Sequence, residues 1–241
     1  FDPLDVEKID ENRLHNINCD KICPINGNPF ENINIFNKNG KLKQIVILRA
    51  KTGDGKTFFL KQVINHVKKI KQDILKYYIK KETKRSHKMY FEDEFDLIED
   101  KEERIPEIGV VSFVSRVSLS HSHEKEFGLR NYQKVNGNDH GLNEVYQLDS
   151  LDKFKNPTKD YYIVILDEVA SLCSHFNNSM FKMSSMRLNM VEIFKNIIND
   201  EKCLAVYGCD DNLNDGTMKF LKTLTDRPID VFINNKINKY D

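Results

Sequence analysis

QIVILRAKTGDGKTFFL, Gln44 to Leu60, joins a short apolar run to a helix start through a turn that holds two glycines and ends in Lys-Thr. Ile45 to Leu48 read as a buried strand. Thr57 to about Lys71 read as the helix that follows, with Phe58, Phe59, Val63, Ile64 and Val67 on its apolar face. Between them Ala50, Lys51, Thr52, Gly53, Asp54, Gly55, Lys56 and Thr57 fit the phosphate-loop pattern, with alanine in place of its first glycine. Small residues let backbone N–H groups turn inward around a phosphate, and the helix N-terminus adds its dipole. Lys56 then serves the β- and γ-phosphate oxygens, and the Thr57 hydroxyl joins a Mg²⁺ shell. Strand, turn and helix stand in the order that this chemistry requires.

The same alternation continues along the chain. IGVVSFVS (Ile108 to Ser115) reads as a second buried strand, followed by a helix through about Phe127. EVYQLDSL offers a short third strand, and YYIVILDEV (Tyr161 to Val169) is the strongest, apolar until its carboxyl end. A helix over about Arg187 to Ile198, the strand CLAVYGCD, a helix near Thr217 to Leu224 and a last strand DVFINN complete the order. Continuous apolar strands alternating with helices predict an α/β fold. Its form is a three-layer α/β/α domain with a phosphate loop around a mostly parallel sheet, and the family resemblance given below implies the RecA-like variety.

Residues 42–241 make up this expected domain, with a charged insertion at about 72–106 that runs from basic to acidic. Such runs are solvated faces more often than basic arms for nucleic acid. Residues 1–41, polar and asparagine-rich with breakers at Pro24 and Pro29, read as an irregular lead-in. The start has neither Met nor a signal-type apolar core, so the chain reads as a piece of something longer.

Composition narrows the function classes. Of the 241 residues 39% are hydrophobic and 31% charged, and 37 basic residues balance 37 acidic ones. Zero net charge argues against a protein that coats nucleic acid, though not against a local basic groove. No stretch approaches the roughly 18 apolar residues of a membrane span, so no membrane partner is expected. The five cysteines have no disulfide rhythm and suit a reduced, intracellular protein. CDKIC lacks a second pair at zinc-finger spacing, and HSH at His121 to His123 lacks a third ligand, so HSH reads as part of a helix start.

Asp167 and Glu168 end the strongest strand, where an open parallel sheet places its ligands. Asp167 suits Mg²⁺, usually through water, and Glu168 suits polarising an attacking water. A kinase needs no such glutamate, because its nucleophile is the substrate hydroxyl. The pair therefore points to ATP hydrolysis coupled to motion, with Lys56, Asp167 and Glu168 as the catalytic set.

Four further segments carry a family resemblance. ILDEVASLCSHF resembles the Asp-Glu-Val-x-Ser segment of viral replication origin-binding proteins, the herpesvirus-type superfamily 2 helicases. VVSFVSRVSLSHSHEKEF is similar to their motif Ia, YQLDSL to their Gln-x-Asp-Ser-Leu element, and GCDDNLN to their third motif. The resemblance spans about Gln44 to Asn235. It departs at Ala50, at Asp54 (a negative charge in the phosphate loop) and at Asn212, where a second aspartate is usual.

The resemblance implies the first RecA-like lobe of a DNA helicase acting at a replication origin, with ATP and Mg²⁺ as cofactors. Its implied partners are DNA, as single strand and as origin, and a second helicase lobe outside this chain. It implies backbone contacts to a DNA strand from Ser115, Arg116, Ser118, Gln147, Asp149 and Ser150, and a coupling role for Asp210. Nuclear localisation is compatible with it. Helix capping by Ser118 or Ser120 is the plain alternative. The rival function is an AAA+-type remodelling ATPase, for which Arg227 is the late arginine-finger candidate. A degenerate nucleotide scaffold is the third reading, against which Lys56, Thr57, Asp167 and Glu168 all stand.

Overall fold

The computed structural model describes residues 13–23, 28–37, 42–69, 108–137, 139–156, 160–177 and 184–235. The charged insertion expected at 72–106 lies outside the described residues. In chain order the elements are β1 (Leu14–Ile17), β2 (Ile45–Arg49), α1 (Lys56–Lys69), β3 (Ile108–Val114), α2 (Val117–Phe127), β4 (Arg130–Asn131) and β5 (Glu144–Gln147). There follow β6 (Tyr161–Asp167), α3 (Val169–Asn177), α4 (Ser184–Asn199), β7 (Cys203–Asp210), α5 (Asp215–Leu224) and β8 (Ile229–Asn234).

The eight strands among the described residues form one sheet in the order β1-β8-β2-β7-β6-β3-β5-β4, and every pairing in it is parallel. Parallel pairing sends every strand's carboxyl end to one edge. The phosphate-loop strand β2 and the Asp-Glu strand β6 stand there with only β7 between them.

Alternate residues of each strand feed two cores. On one face Ile45, Ile47, Val111, Phe113, Val164 and Leu166 pack with Leu172 and Phe176 of α3, Phe194 of α4 and Leu221 of α5. On the other face Val46, Leu48, Val110, Ile163 and Ile165 pack with Phe59, Val63 and Val67 of α1 and Phe127 of α2. The sheet is thus buried on both sides, which is why its strands carry apolar runs without polar alternation. This is the three-layer α/β/α architecture around a parallel sheet that the strand and helix pattern predicts.

The lead-in departs from expectation. Leu14 to Ile17 add an edge strand beside β8, from Leu14 opposite Val231 to Ile17 opposite Asn234. Ile22, Phe30, Ile33 and Ile35 are buried in the core under α1. The segment is polar at its outer positions because an edge strand is half solvated, and that hid the strand from a pattern search.

Candidate nucleotide cleft

The phosphate loop turns on two glycines. Gly53 and Gly55 have φ of +91° and +95°, the left-handed region open to glycine at little cost, and a Cβ built on either meets nothing within 4 Å. The loop is braced from three sides. Ala50 N donates to the Asp210 carbonyl at 3.0 Å, while Thr52 Oγ1 donates to Asp211 Oδ2 at 3.1 Å. Lys21 of the lead-in donates to the Gly53 carbonyl at 2.7 Å, and Ile22 N donates to the Asp54 carbonyl at 3.1 Å.

Asp54, the unusual acid of the loop, turns its carboxylate back into this scaffold. Its Oδ2 accepts from Lys51 N at 3.1 Å and from Asn234 Nδ2 at 3.0 Å. The carboxylate closes the turn and lies outside the lining of the cleft, so its charge is held by donors.

The loop opens onto a cleft of about 860 Å³ whose lining includes Thr52, Gly53, Gly55, Lys56, Thr57, Ser115, Arg116, Asp167, Glu168 and Asp210. Lys56 Nζ donates to the Ala50 carbonyl at 2.7 Å, folded across its own loop. Ser115 is 7% exposed and its hydroxyl has no hydrogen-bond partner among the described residues. A buried polar atom with no partner, aimed at a polar cleft, is a site for a ligand oxygen or a water.

Glu168 adopts φ 55°, the left-handed region that non-glycine residues seldom occupy. Three bonds hold it there. Its N donates to Asp167 Oδ1 at 3.1 Å, its carbonyl accepts Leu172 N of α3 at 3.0 Å, and its carboxylate pairs with Arg116 at 2.5 Å. Asp210 ends β7 with a buried carboxylate that accepts from Ala170 N and Asn212 N, both at 2.6 Å. Burial pushes the Asp210 carboxyl above its usual range, and these two N–H groups oppose the shift.

The donor set fits magnesium. Thr57 and Asp167 offer hard oxygens, and Mg²⁺ is ordinarily held by one or two protein groups with phosphates and waters, so no protein cage is needed. Among the described residues no group of three or more His, Cys, Asp or Glu could hold a metal ion, and burial pushes the Cys23 thiol up to about 11.

Of the eight loop positions, Ala50, Lys51 and Asp54 scaffold the turn, while the other five line the cleft. Of the six residues expected on a DNA strand, Ser115 and Arg116 line the cleft, and Ser118, Gln147, Asp149 and Ser150 do not. Gln147 accepts from Tyr132 Oη at 3.0 Å and donates to Asp149 at 3.1 Å; Asp149 in turn pairs with His175 at 2.9 Å. Through His175, a lining residue of α3, this chain of bonds reaches the cleft rim. The capping alternative is not realised. Ser118 is exposed inside α2, whose N-cap Arg116 makes no side-chain cap bond, and Ser120 Oγ donates to the Val117 carbonyl at 2.7 Å.

Arg227 lies at the other end of the sheet. Its guanidinium donates to the Ile198 and Cys203 carbonyls at 2.7 and 2.8 Å and to Gln44 Oε1 at 3.2 Å. Its donors are spent on the strand starts, which leaves no free fork for a neighbour's phosphate.

Sequence reasoning missed His123. It is 1% exposed, with Nδ1 at 2.7 Å from Ser112 Oγ and Nε2 at 3.3 Å from Asp167 Oδ2. The available signal was position: Ser120, His123 and Phe127, spaced three and four residues apart, are the buried residues of α2 and make up its inner face.

The fold and the cleft thus define a P-loop α/β domain with an acidic pair opposite the loop. No family model matches this chain, and no curated protein matches it. Several solved structures overlap with it in part, three of which follow. A variant of Saccharomyces cerevisiae Dbp5 bound to Nup159, a Gle1 variant, IP6 and ADP shares 10% identity at a TM-score of 0.44, over 79% of this chain and 43% of that one. A hypothetical ATP-dependent RNA helicase from Sulfolobus tokodaii shares 14% at a TM-score of 0.36, over 79% and 48%. Mss116p bound to ssRNA and AMP-PNP shares 18% at a TM-score of 0.35, over 82% and 37%. The chain spans less than half the length of each of these proteins. Likeness this distant concerns the path of the backbone and not the chemistry of the side chains.

Proposed function

We propose that the chain is the nucleotide-binding lobe of an ATP-driven nucleic-acid motor. The observation that carries this reading is the convergence of Lys56, Thr57, Asp167 and Glu168 on one cleft, with Arg116 at its rim. Lys56 leaves the Ala50 carbonyl to meet the β- and γ-phosphates, and the loop N–H groups cradle them. Thr57 and Asp167 would hold Mg²⁺, which would supply neutralisation of charge on the phosphate oxygens. Glu168 orients the attacking water and draws its proton.

Arg116 ties this chemistry to a strand. Its guanidinium occupies the Glu168 carboxylate, and a nucleic-acid phosphate competes for the same fork. A strand that draws Arg116 away frees Glu168 to act. The intrachain bonds of Arg227 count against the AAA+ alternative.

The finer reading is DNA at a replication origin, and it rests on the resemblance of the four segments ILDEVASLCSHF, VVSFVSRVSLSHSHEKEF, YQLDSL and GCDDNLN together with the phosphate loop. In the same reading a second lobe supplies the arginine that stabilises transition-state charge, worth about 10³ to 10⁵ in rate in related phosphoryl-transfer enzymes. One lobe alone therefore turns ATP over slowly.

The test is phosphate release from ATP–Mg by this chain, with single-stranded DNA, single-stranded RNA or neither. Slow release by the wild type, abolished in Glu168→Gln with ATP binding retained, is expected, and DNA stimulates it more than RNA. Release that survives Glu168→Gln contradicts the division of labour. Stimulation by RNA alone contradicts the DNA assignment.

A further inference from the structure

Each carboxylate of the Asp167–Glu168 pair is held by a side chain of the same short segment, Arg116 to Phe127. Arg116 takes Glu168, on the surface; His123 takes Asp167, in the interior. The second contact is the less ordinary one. His123 projects from α2 into the space between α2 and the sheet, stacked edge-on against Phe127 with ring centroids 4.7 Å apart. Its ring is sealed from solvent, so its orientation is fixed by packing and by two hydrogen bonds.

Those bonds run in a line. Ser112 of β3, 0% exposed, sits at 2.7 Å from Nδ1, and Asp167 at the end of β6 sits at 3.3 Å from Nε2. A carboxylate only accepts, so in the neutral ring Nε2 donates to Asp167 Oδ2 and Nδ1 accepts from the Ser112 hydroxyl. Asp167 Oδ1 is in turn tied to Glu168 N. Both oxygens of the acid are therefore positioned from within the protein, before any ligand enters.

We infer that His123, relayed from Ser112, is a positioning residue for Asp167 and sets the chain's affinity for Mg²⁺ in the nucleotide complex. The inference rests on the reading of the cleft as an ATP–Mg site. Its physical basis is the general one for outer-shell partners. A ligand carboxylate held by a buried donor keeps one rotamer, and losing that donor costs metal affinity without touching the rest of the site. The single bond of Ser112 to His123 extends the hold to β3, whose end carries Ser115 in the cleft.

Two substitutions separate position from bulk. In His123→Gln the side-chain amide N–H stands near the place of Nε2 and still donates to Asp167. In His123→Asn the shorter amide reaches Ser112 only. Both introduce an amide at one buried place, so a merely structural role predicts similar effects from the two. Ser112→Ala, a small change, removes the relay while leaving the imidazole.

The experiment titrates a non-hydrolysable ATP analogue into the chain by calorimetry at a series of Mg²⁺ concentrations and in EDTA, with melting curves for each variant. His123→Asn is expected to raise the Mg²⁺ needed for half-maximal tightening by about 10-fold, at the lower end of known outer-shell effects. His123→Gln stays near wild type, Ser112→Ala falls between, and affinity in EDTA is the same for all. Equal shifts in Asn and Gln, no shift in either, or a matching loss in EDTA overturns the inference. If the His123 variants do not fold, an unshifted Mg²⁺ dependence in Ser112→Ala overturns it. A wild type whose binding ignores Mg²⁺ overturns instead the ATP–Mg reading beneath it.

Discussion

Arg116, proposed to meet a nucleic-acid strand, is a side chain whose loss should cost little stability. Its side chain is 62% exposed and that of Glu168 38%, so the pair sits in water and contributes roughly 0–1 kcal/mol to folding. Arg116→Ala should therefore leave the melting temperature nearly unchanged. The same change removes the only arginine lining the cleft among the described residues, so affinity for a fluorescent single strand should fall several-fold at low salt. A drop in melting temperature with unchanged strand affinity would reverse the assignment. At this scale the phosphate loop was legible, because Lys56 and Thr57 follow a glycine turn at fixed spacing. The partners that hold the acids were not. His123 reads as an ordinary helix residue until α2 packs on β3 and β5 and brings its ring to Asp167, and the inward turn of Asp54 depends on Asn234, 180 residues away.

Among elements, β7 joins the phosphate-loop strand to the Asp-Glu strand, since it lies between β2 and β6. Gly208 permits that closeness: a Cβ there would come within 2.7 Å of Ile47 Cδ1 and 2.8 Å of Val169 Cγ2. Gly208→Ala should cost about 1–3 kcal/mol by overpacking, read as a shift of the urea midpoint at constant m-value. A neutral result would mean that the neighbouring side chains yield freely. The strands β2, β3, β6 and β7 were legible because each is a continuous apolar run. Helix α3 was not, since VASLCSHF follows the acidic pair directly and carries no cap residue or break before it. Strand β4, two residues long, falls below any periodicity, and β1 alternates too weakly at the sheet's edge.

For the whole molecule, parallel pairing gathers the functional groups from distant parts of the chain onto one edge of one sheet. The lead-in joins in, through Lys21 on the loop and the Cys19 carbonyl and N–H on Asn234. Arg13, His15 and Lys43 converge on Asp230 at the start of β8, away from the cleft, so local clusters of charge exist within a chain of zero net charge. Strand binding should then depend on the rim of the cleft and weaken steeply with salt. All of this rests on the cleft being an ATP site. The most direct test is calorimetric titration of ATP–Mg into the wild-type chain and into Lys56→Ala. One saturable site in the wild type, lost or weakened at least tenfold by removing the lysine charge, is the predicted result. Binding of equal strength in both, or none in the wild type, would contradict it.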